Sequence, residues 1–398
     1  MQQGTARPRP ARLPELLSPK LLLALSLASL SMLAGFSLKW LYLLQPDPRS
    51  WYVYSCLHLA YTDLVALYLQ QGLHSHPIPY LETRLEYPVV VGAMQYLVAS
   101  HTHDARSYFD ISSAILLLAG LATVGIVYLL DRSARLGVFA ATPPLLFYAA
   151  LNWDLIAIFF ALLSLLLFQR RHDGWSALLL TLGVWTKLFP LVLLAWMVFQ
   201  RGRERDWKSL ALVGTVVVAT SLALNLPVYR ASPEGWRYFL DFQAERPPDA
   251  GSIWFRYPEW PVEKVNRLSL LLAAVGATTL GLIATWRRRG AAEFGLGSLA
   301  LLVLVSKVTS PQYHLWLMPF FALVPAPAWL VGIFVGVDAT YFWASYQSLY
   351  AHWMGLSGPE FQHTHTIALA NAARQGTLLL VYLWVVLSML RGRRSSGA

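Results

Sequence analysis

Five ionisable side chains stand in otherwise apolar surroundings: Asp63, Glu86, Asp154, Lys187 and Lys307. Polar neighbours accompany them, with Asn152 two residues before Asp154 and Gln312 and His314 just after Lys307. A carboxylate can take a proton from an attacking hydroxyl, and a lysine or histidine can neutralise a departing phosphate. Together they suit group transfer from a lipid phosphate. Each residue also has a structural reading. Asp63, Asn152 and Asp154 could cap helices, the two lysines could snorkel to headgroups, and His314 could be a satisfied core histidine. Lys39, near the end of the first apolar stretch, reads as a snorkelling anchor. His352, His363 and His365 lack a metal-ligand spacing, so no metal and no cofactor are expected.

The elements that must position these groups follow from composition. Of 398 residues, 56% are hydrophobic and 13% charged, against roughly 25% charged in soluble domains. The chain therefore reads as an all-α polytopic membrane protein. Its net charge of +10 gathers in short loops, which argues against nucleic acid as a partner. The single Cys56 excludes an internal disulfide and a cysteine metal cluster. Leu21 to Leu44 reads as a retained anchor, having no small-residue cleavage site behind it.

The first polar stretch, residues 45–108, interleaves Asp63, Glu82, Arg84, Glu86, Asp104 and Arg106 with tyrosine and tryptophan, which favour the headgroup level. An amphipathic helix is expected over His58 to Gln71, and a second short one from Glu86-Tyr87-Pro88. Further along, Leu136 to Phe168 breaks at Asn152-Trp153-Asp154, Trp175 to Gln200 near Thr186-Lys187, and Glu293 to Val324 around Ser310-Pro311-Gln312. Each reads as a helical hairpin. With single spans at 21–44, 109–130, 209–226, 266–286, 329–345 and 371–390, about twelve crossings result.

Charge sets the orientation. Arginine clusters at Arg132 and Arg135, Arg170-Arg171, Arg201 to Arg205, Arg287 to Arg289 and Arg391 to Arg394 all fall on the side of the N-terminal tail. That is the positive-inside pattern. It places both tails (1–20 and 391–398) in the cytoplasm, and residues 45–108, 227–265 and 346–370 outside the plasma membrane. Tyr87 to Ala99 must then be interfacial or re-entrant. Every candidate residue lands on the external face.

Four segments stand in order: Glu86-Tyr87-Pro88, Leu151-Asn152-Trp153-Asp154, Thr186-Lys187-Leu188-Phe189-Pro190, and Ser306-Lys307-Val308-Thr309-Ser310-Pro311-Gln312-Tyr313. Here the chain resembles the GT-C membrane glycosyltransferases, most of all glycosyltransferase family 87, the polyprenyl-phosphate-mannose-dependent mannosyltransferases. The family often carries Tyr-Pro-Pro where this chain has Tyr87-Pro88-Val89. The resemblance implies one transmembrane domain over 1–398 and a polyprenyl-phosphate sugar donor, with mannose expected. It also implies a lipid or glycan acceptor and no obligatory metal. It points to Asp63, in the first external loop, as the catalytic base of an inverting transfer. Lys187, Lys307 and His314 would hold the donor phosphate, and Glu86, Tyr87, Asn152, Asp154, Gln312 and Tyr313 would bind sugar or acceptor. The alternative is a transporter or flippase of lipid-linked sugars, for which related halves and midplane charges are expected. A third is a non-catalytic subunit of a glycan-assembly complex.

Overall fold

A computed structural model describes residues 18–44, 47–356 and 365–391, the side chain of His365 excepted. The basic residues Arg7, Arg9 and Arg12, the loop residues Glu360 and His363, and the Arg393-Arg394 pair lie outside them. Among the described residues the protein is helical, with one isolated bridge, Pro79 to Thr83. The first helix, α1 (Pro19–Leu41), leads to three interfacial-length helices, α2 (Pro48–Leu57), α3 (Asp63–Gln70) and α4 (Val89–Ala99). Then come α5 (Ala105–Leu130), the short pair α6 (Gly137–Ala140) and α7 (Pro143–Tyr148), α8 (Asp154–Gln169), α9 (Asp173–Val184) and α10 (Leu191–Glu204). The second half holds α11 (Trp207–Ala231), α12 (Pro233–Glu245), α13 (Val262–Arg287), α14 (Ala291–Val305), α15 (Met318–Leu323), α16 (Ala328–Trp353) and α17 (His365–Leu390).

Among the described residues, six helices are long and apolar enough to cross a membrane: α1, α5, α11, α13, α16 and α17. The hairpin arms are shorter. Buried α8 packs between α5 and α9, and α14 between α13 and α17. By contrast only 11% of the apolar window of α11 is buried, so most of its surface is left for lipid. An internal helix is shielded by protein and need not match the bilayer's thickness, whereas a lipid-facing one must.

The arm before Asn152 differs from the expected single helix. Thr142-Pro143-Pro144 divides it into α6 and α7, because proline cannot continue the helical hydrogen bonding. Side chains from elsewhere take up carbonyls at the breaks. Lys39 Nζ donates to the Phe147 carbonyl at 2.9 Å and is 1% exposed. It is therefore a buried strap and not a snorkelling anchor. Arg135 donates to the carbonyls of Ala326 (2.6 Å), Val324 (2.8 Å) and Phe321 (3.2 Å), satisfying the end of α15.

The expected external loops are more helical than their polarity suggests. Residues 227–265 contain the end of α11, all of α12, a 3₁₀ turn (Ile253–Arg256) and the start of α13. In 346–370, α16 continues to Trp353 and α17 begins at His365.

The arginines of the short basic loops collect at one end. Arg171 pairs with Glu204 (2.6 Å), and Arg201 with Asp173 (2.5 Å) and Glu204 (2.9 Å). Arg203 reaches the Thr285 carbonyl, and Arg289 the carbonyls of Ser388, Met389 and Arg391. Helix α8 runs from Asp154 to that arginine end. Its 16 residues put roughly 24 Å between the two, most of a hydrocarbon core.

Candidate active site

Asp63 owes its position to Thr62. The hydroxyl of Thr62 accepts from the Leu64 amide at 3.3 Å, making Thr62 the cap of α3, and donates to the carbonyls of Ala150 (2.8 Å) and Leu151 (3.2 Å). One side chain thus starts the helix and fastens it to the turn that leads to Asn152. Asp63 is then the first helical residue, not the cap, and α3 begins five residues later than the apolar pattern predicts. The positive end of the helix favours its charge. Pro88 likewise sits just before α4 and not within it.

The Asn152 amide is the hub. Its nitrogen donates to Asp63 Oδ2 at 2.7 Å and to the Tyr87 hydroxyl at 2.8 Å, and its oxygen accepts from the Trp153 amide at 2.6 Å. Gln312 Nε2 lies 3.5 Å from the same Asp63 oxygen. Two residues on from Asn152, Asp154 Oδ2 pairs with Lys187 Nζ at 2.9 Å while its Oδ1 accepts from the Trp316 indole at 2.6 Å. Lys187 stands 5.7 Å above the ring of Tyr87 and 5.8 Å from that of Tyr313, and Tyr313, Trp316 and Phe189 stack in series behind it. Asp63, Tyr87, Asn152, Asp154, Lys187, Gln312 and Tyr313 therefore share one recess, from segments up to 249 residues apart.

The two acids differ in what they can do. Asp154 is fully buried and both its oxygens are engaged. Asp63 is partly exposed. Burial raises its pKa above the ordinary carboxylate value, while the charge of Lys187 and hydrogen bonds from Tyr61 and Asn152 pull it back. The Glu86 carboxyl has no hydrogen-bond partner among the described residues. Burial and the charge of Asp63 raise its pKa, opposed by Arg246 and Lys187.

Two expected phosphate ligands are engaged by other protein groups. His314 is fully buried: Nδ1 is 2.6 Å from Asp338 Oδ1 and Nε2 accepts from Arg374 Nε at 3.0 Å. Both ring nitrogens are taken, so it does not face the recess as a phosphate donor. Tyr148 also donates to Asp338 (2.9 Å), and Arg374 grips the Thr309 and Ser310 carbonyls. This network braces the segment that carries Gln312 and Tyr313. Lys307 donates to the Ala244 carbonyl in the last turn of α12 at 2.8 Å, a favourable place for a cation. Burial and the neighbouring Arg246 both lower its pKa. Asp249, accepting from the amide and hydroxyl of Thr309 at 2.7 Å each, ties the same loop down.

Sequence reasoning missed Asp338, Arg374 and Arg246. For Asp338 a signal existed, an acid inside the apolar run 329–345. Among the described residues no three His, Cys, Asp or Glu are grouped to hold a metal ion.

A stretch of 100 residues is 37% identical to undecaprenyl phosphate-alpha-4-amino-4-deoxy-L-arabinose arabinosyl transferase 2 of Pseudomonas fluorescens (strain Pf0-1). It takes in 22% of this chain and 17% of that protein's length. Residues 87–311, which hold Tyr87, Asn152, Asp154, Lys187 and Lys307, match glycosyltransferase family 87 as a block. That block is more than half of the chain, and the chain belongs to glycosyltransferase family 87.

Proposed function

We propose that the protein is an inverting membrane glycosyltransferase that moves a sugar from a polyprenyl-phosphate donor to a hydroxyl of a lipid or glycan acceptor outside the plasma membrane. One observation carries this reading: the carboxylate of Asp63, a partly exposed residue, and a lysine, Lys187, flank the same recess, at the end of the bundle opposite the arginines of the short basic loops. Family membership supports the reaction class, and the undecaprenyl phosphate in the relative's name supports the carrier. Mannose is the sugar the family resemblance brings.

In this reading Asp63 takes the proton of the acceptor hydroxyl, whose oxygen attacks the anomeric carbon from the face opposite the phosphate. The bond from that carbon to the phosphate oxygen breaks, and the phosphate leaves with the electron pair. Lys187, with Arg246 and the spare N–H donors of Lys307, supplies positive charge where negative charge develops. Asp154 fixes Lys187 and keeps it protonated. Asn152 holds Asp63 in line, while Tyr87, Glu86, Gln312 and Tyr313 offer donors, acceptors and ring faces to the sugar. The reaction needs no metal for charge neutralisation if the cations do this.

The test is purified protein in nanodiscs, supplied with radiolabelled polyprenyl-phosphate mannose and a membrane-lipid extract, with products resolved by chromatography. Transfer of label to lipid or glycan by the parent, lost in Asp63→Asn, supports the reading. Movement of intact donor across the bilayer without cleavage would replace it with transport.

A further inference from the structure

Beside the catalytic recess lies a second, separate cleft of about 590 Å³. One wall is the turn at Tyr80 to Arg84, the other is the first two turns of α12. The two walls are built to stay together. Gly235 lets α12 press on the turn so closely that a Cβ there would fall 1.7 Å from the Tyr80 carbonyl oxygen. Tyr80 itself holds a left-handed backbone conformation (φ 68°), uncommon for a bulky residue, and its amide is fixed to the Thr83 carbonyl at 2.9 Å.

Tyr80 also joins this cleft to the recess. Its hydroxyl donates to the Tyr87 carbonyl at 2.9 Å, and the Tyr87 hydroxyl shares Asn152 with Asp63. At its far end α12 reaches back as well, with Gln243 at 3.5 Å from the Glu86 carbonyl.

The lining decides what would fit. Acids (Glu82, Glu234, Asp241) and arginines (Arg84, Arg237) alternate, so no single sign of charge is focused there. The cleft therefore suits neither a phosphate nor, being polar and open, a lipid tail. Glu82 is committed to the Ile78 amide at 2.7 Å, and Arg237 to Asp241 only loosely at 3.8 Å. Glu234 and Arg84 are exposed, and Arg84 lies 5.5 Å over the Tyr238 ring. A carboxylate without a partner among the described residues (Glu234), guanidinium donors and a tyrosine ring are the chemistry that grips sugar hydroxyls and the apolar side of a sugar ring.

We propose that this cleft holds the hydroxyl-rich glycan of the acceptor, leaving the recess to the donor. The proposal rests on the transfer reading for the word acceptor, but its binding claim can be measured without turnover. The glycan could be a free oligosaccharide or the headgroup of a glycolipid, and two probes separate them. Fluorescent manno-oligosaccharides are titrated in solution, and a mannosylated glycolipid is titrated within nanodiscs, against the parent and Glu234→Gln, Arg84→Gln and Tyr238→Ala. These are surface side chains, and unchanged melting temperatures would confirm intact folding.

Binding of one probe, weakened at least about tenfold in each variant as expected for one lost charged hydrogen bond or stacking face, supports the cleft. It also names the source of the glycan. Equal binding by parent and variants, or no binding of either probe to the parent, overturns it. Failure of the parent to consume donor would overturn the transfer reading alone and leave the binding result standing.

Discussion

Asn152 separates the fates of two aspartates by holding one and standing next to the other. Asp154, with Lys187 and the Trp316 indole on its two oxygens, is closed off from solvent. Asp63 accepts from the Asn152 amide yet keeps part of its surface open, which a general base requires. Asp63→Asn should lower single-turnover transfer by roughly 10²–10⁴-fold while donor affinity persists. Near-parental transfer would shift attention to Glu86. The pH profile offers a second check on the same residue. Burial raises the Asp63 pKa, and only the ionised form can accept a proton. Activity should therefore fall as pH drops through a value above the ordinary carboxylate range of about 3.9, and that limb should vanish in the Asn variant. A limb at or below that range would mean that some other group titrates. At this scale the sequence spoke clearly wherever a charge stood in an apolar run, as with Asp154 and Lys187. It was silent on His314, whose two ring nitrogens are claimed by residues 24 and 60 positions away. Pairing across such separations leaves no local pattern, so a buried histidine and a phosphate ligand look alike in one dimension.

Single polar contacts that fasten one helix to another decide how well the recess is assembled. Thr62 starts α3 and ties it to Ala150 and Leu151. Replacing it with Val keeps the volume but removes the cap, typically worth about 1 kcal/mol, and frees Asp63 from its register. Transfer should then fall more than donor affinity does, since only the base is displaced. A proportionate fall in both would mean that Thr62 merely stabilises the fold. The pair between Asp154, at the start of α8, and Lys187, before α10, permits a sharper separation. The Lys187 side chain is 11% exposed and that of Asp154 1%, so losing one partner strands a buried charge, a cost of about 3–5 kcal/mol. Lys187→Met should lower both melting temperature and donor affinity. Adding Asp154→Asn should restore much of the stability, because no charge is left stranded, without restoring donor affinity. Recovery of both would show that the lysine only neutralises Asp154. The breaks that create these helix starts were legible as Asn152-Trp153-Asp154 and Thr186-Lys187. Helix α12 was not, because its charged composition resembles a solvated loop. Its one buried large apolar residue, Phe239, with Gly235 four positions before it, gives only one turn of periodicity.

Whole-molecule orientation depends on charge and length together. The arginines of the short basic loops pair with acids and with the ends of neighbouring helices at one end, while the recess lies at the other. The six long apolar helices were legible because a lipid-facing surface demands an unbroken run of about 20 apolar residues. The shorter arms were ambiguous because shielding by neighbours lifts that demand, and whether each crosses the bilayer is a separate question from whether it packs. Cysteine accessibility addresses the orientation directly. In a Cys56→Ala background, single cysteines at Leu81 or Glu259, both exposed in expected external loops, should react with an impermeant thiol reagent added outside intact cells. Cysteines at Gly174 and Gly290 should react only after permeabilisation. An added Cβ meets nothing closer than 3.7 Å at Gly174, and only the flexible end of Glu293 at 3.0 Å at Gly290, so both should fold. Labelling of Gly290→Cys from outside would invert the bundle and put Asp63 in the cytoplasm. An acceptor from outside the cell could not then reach it. The positive-inside expectation and the external active site thus stand or fall on the same measurement, independently of any assay of transfer.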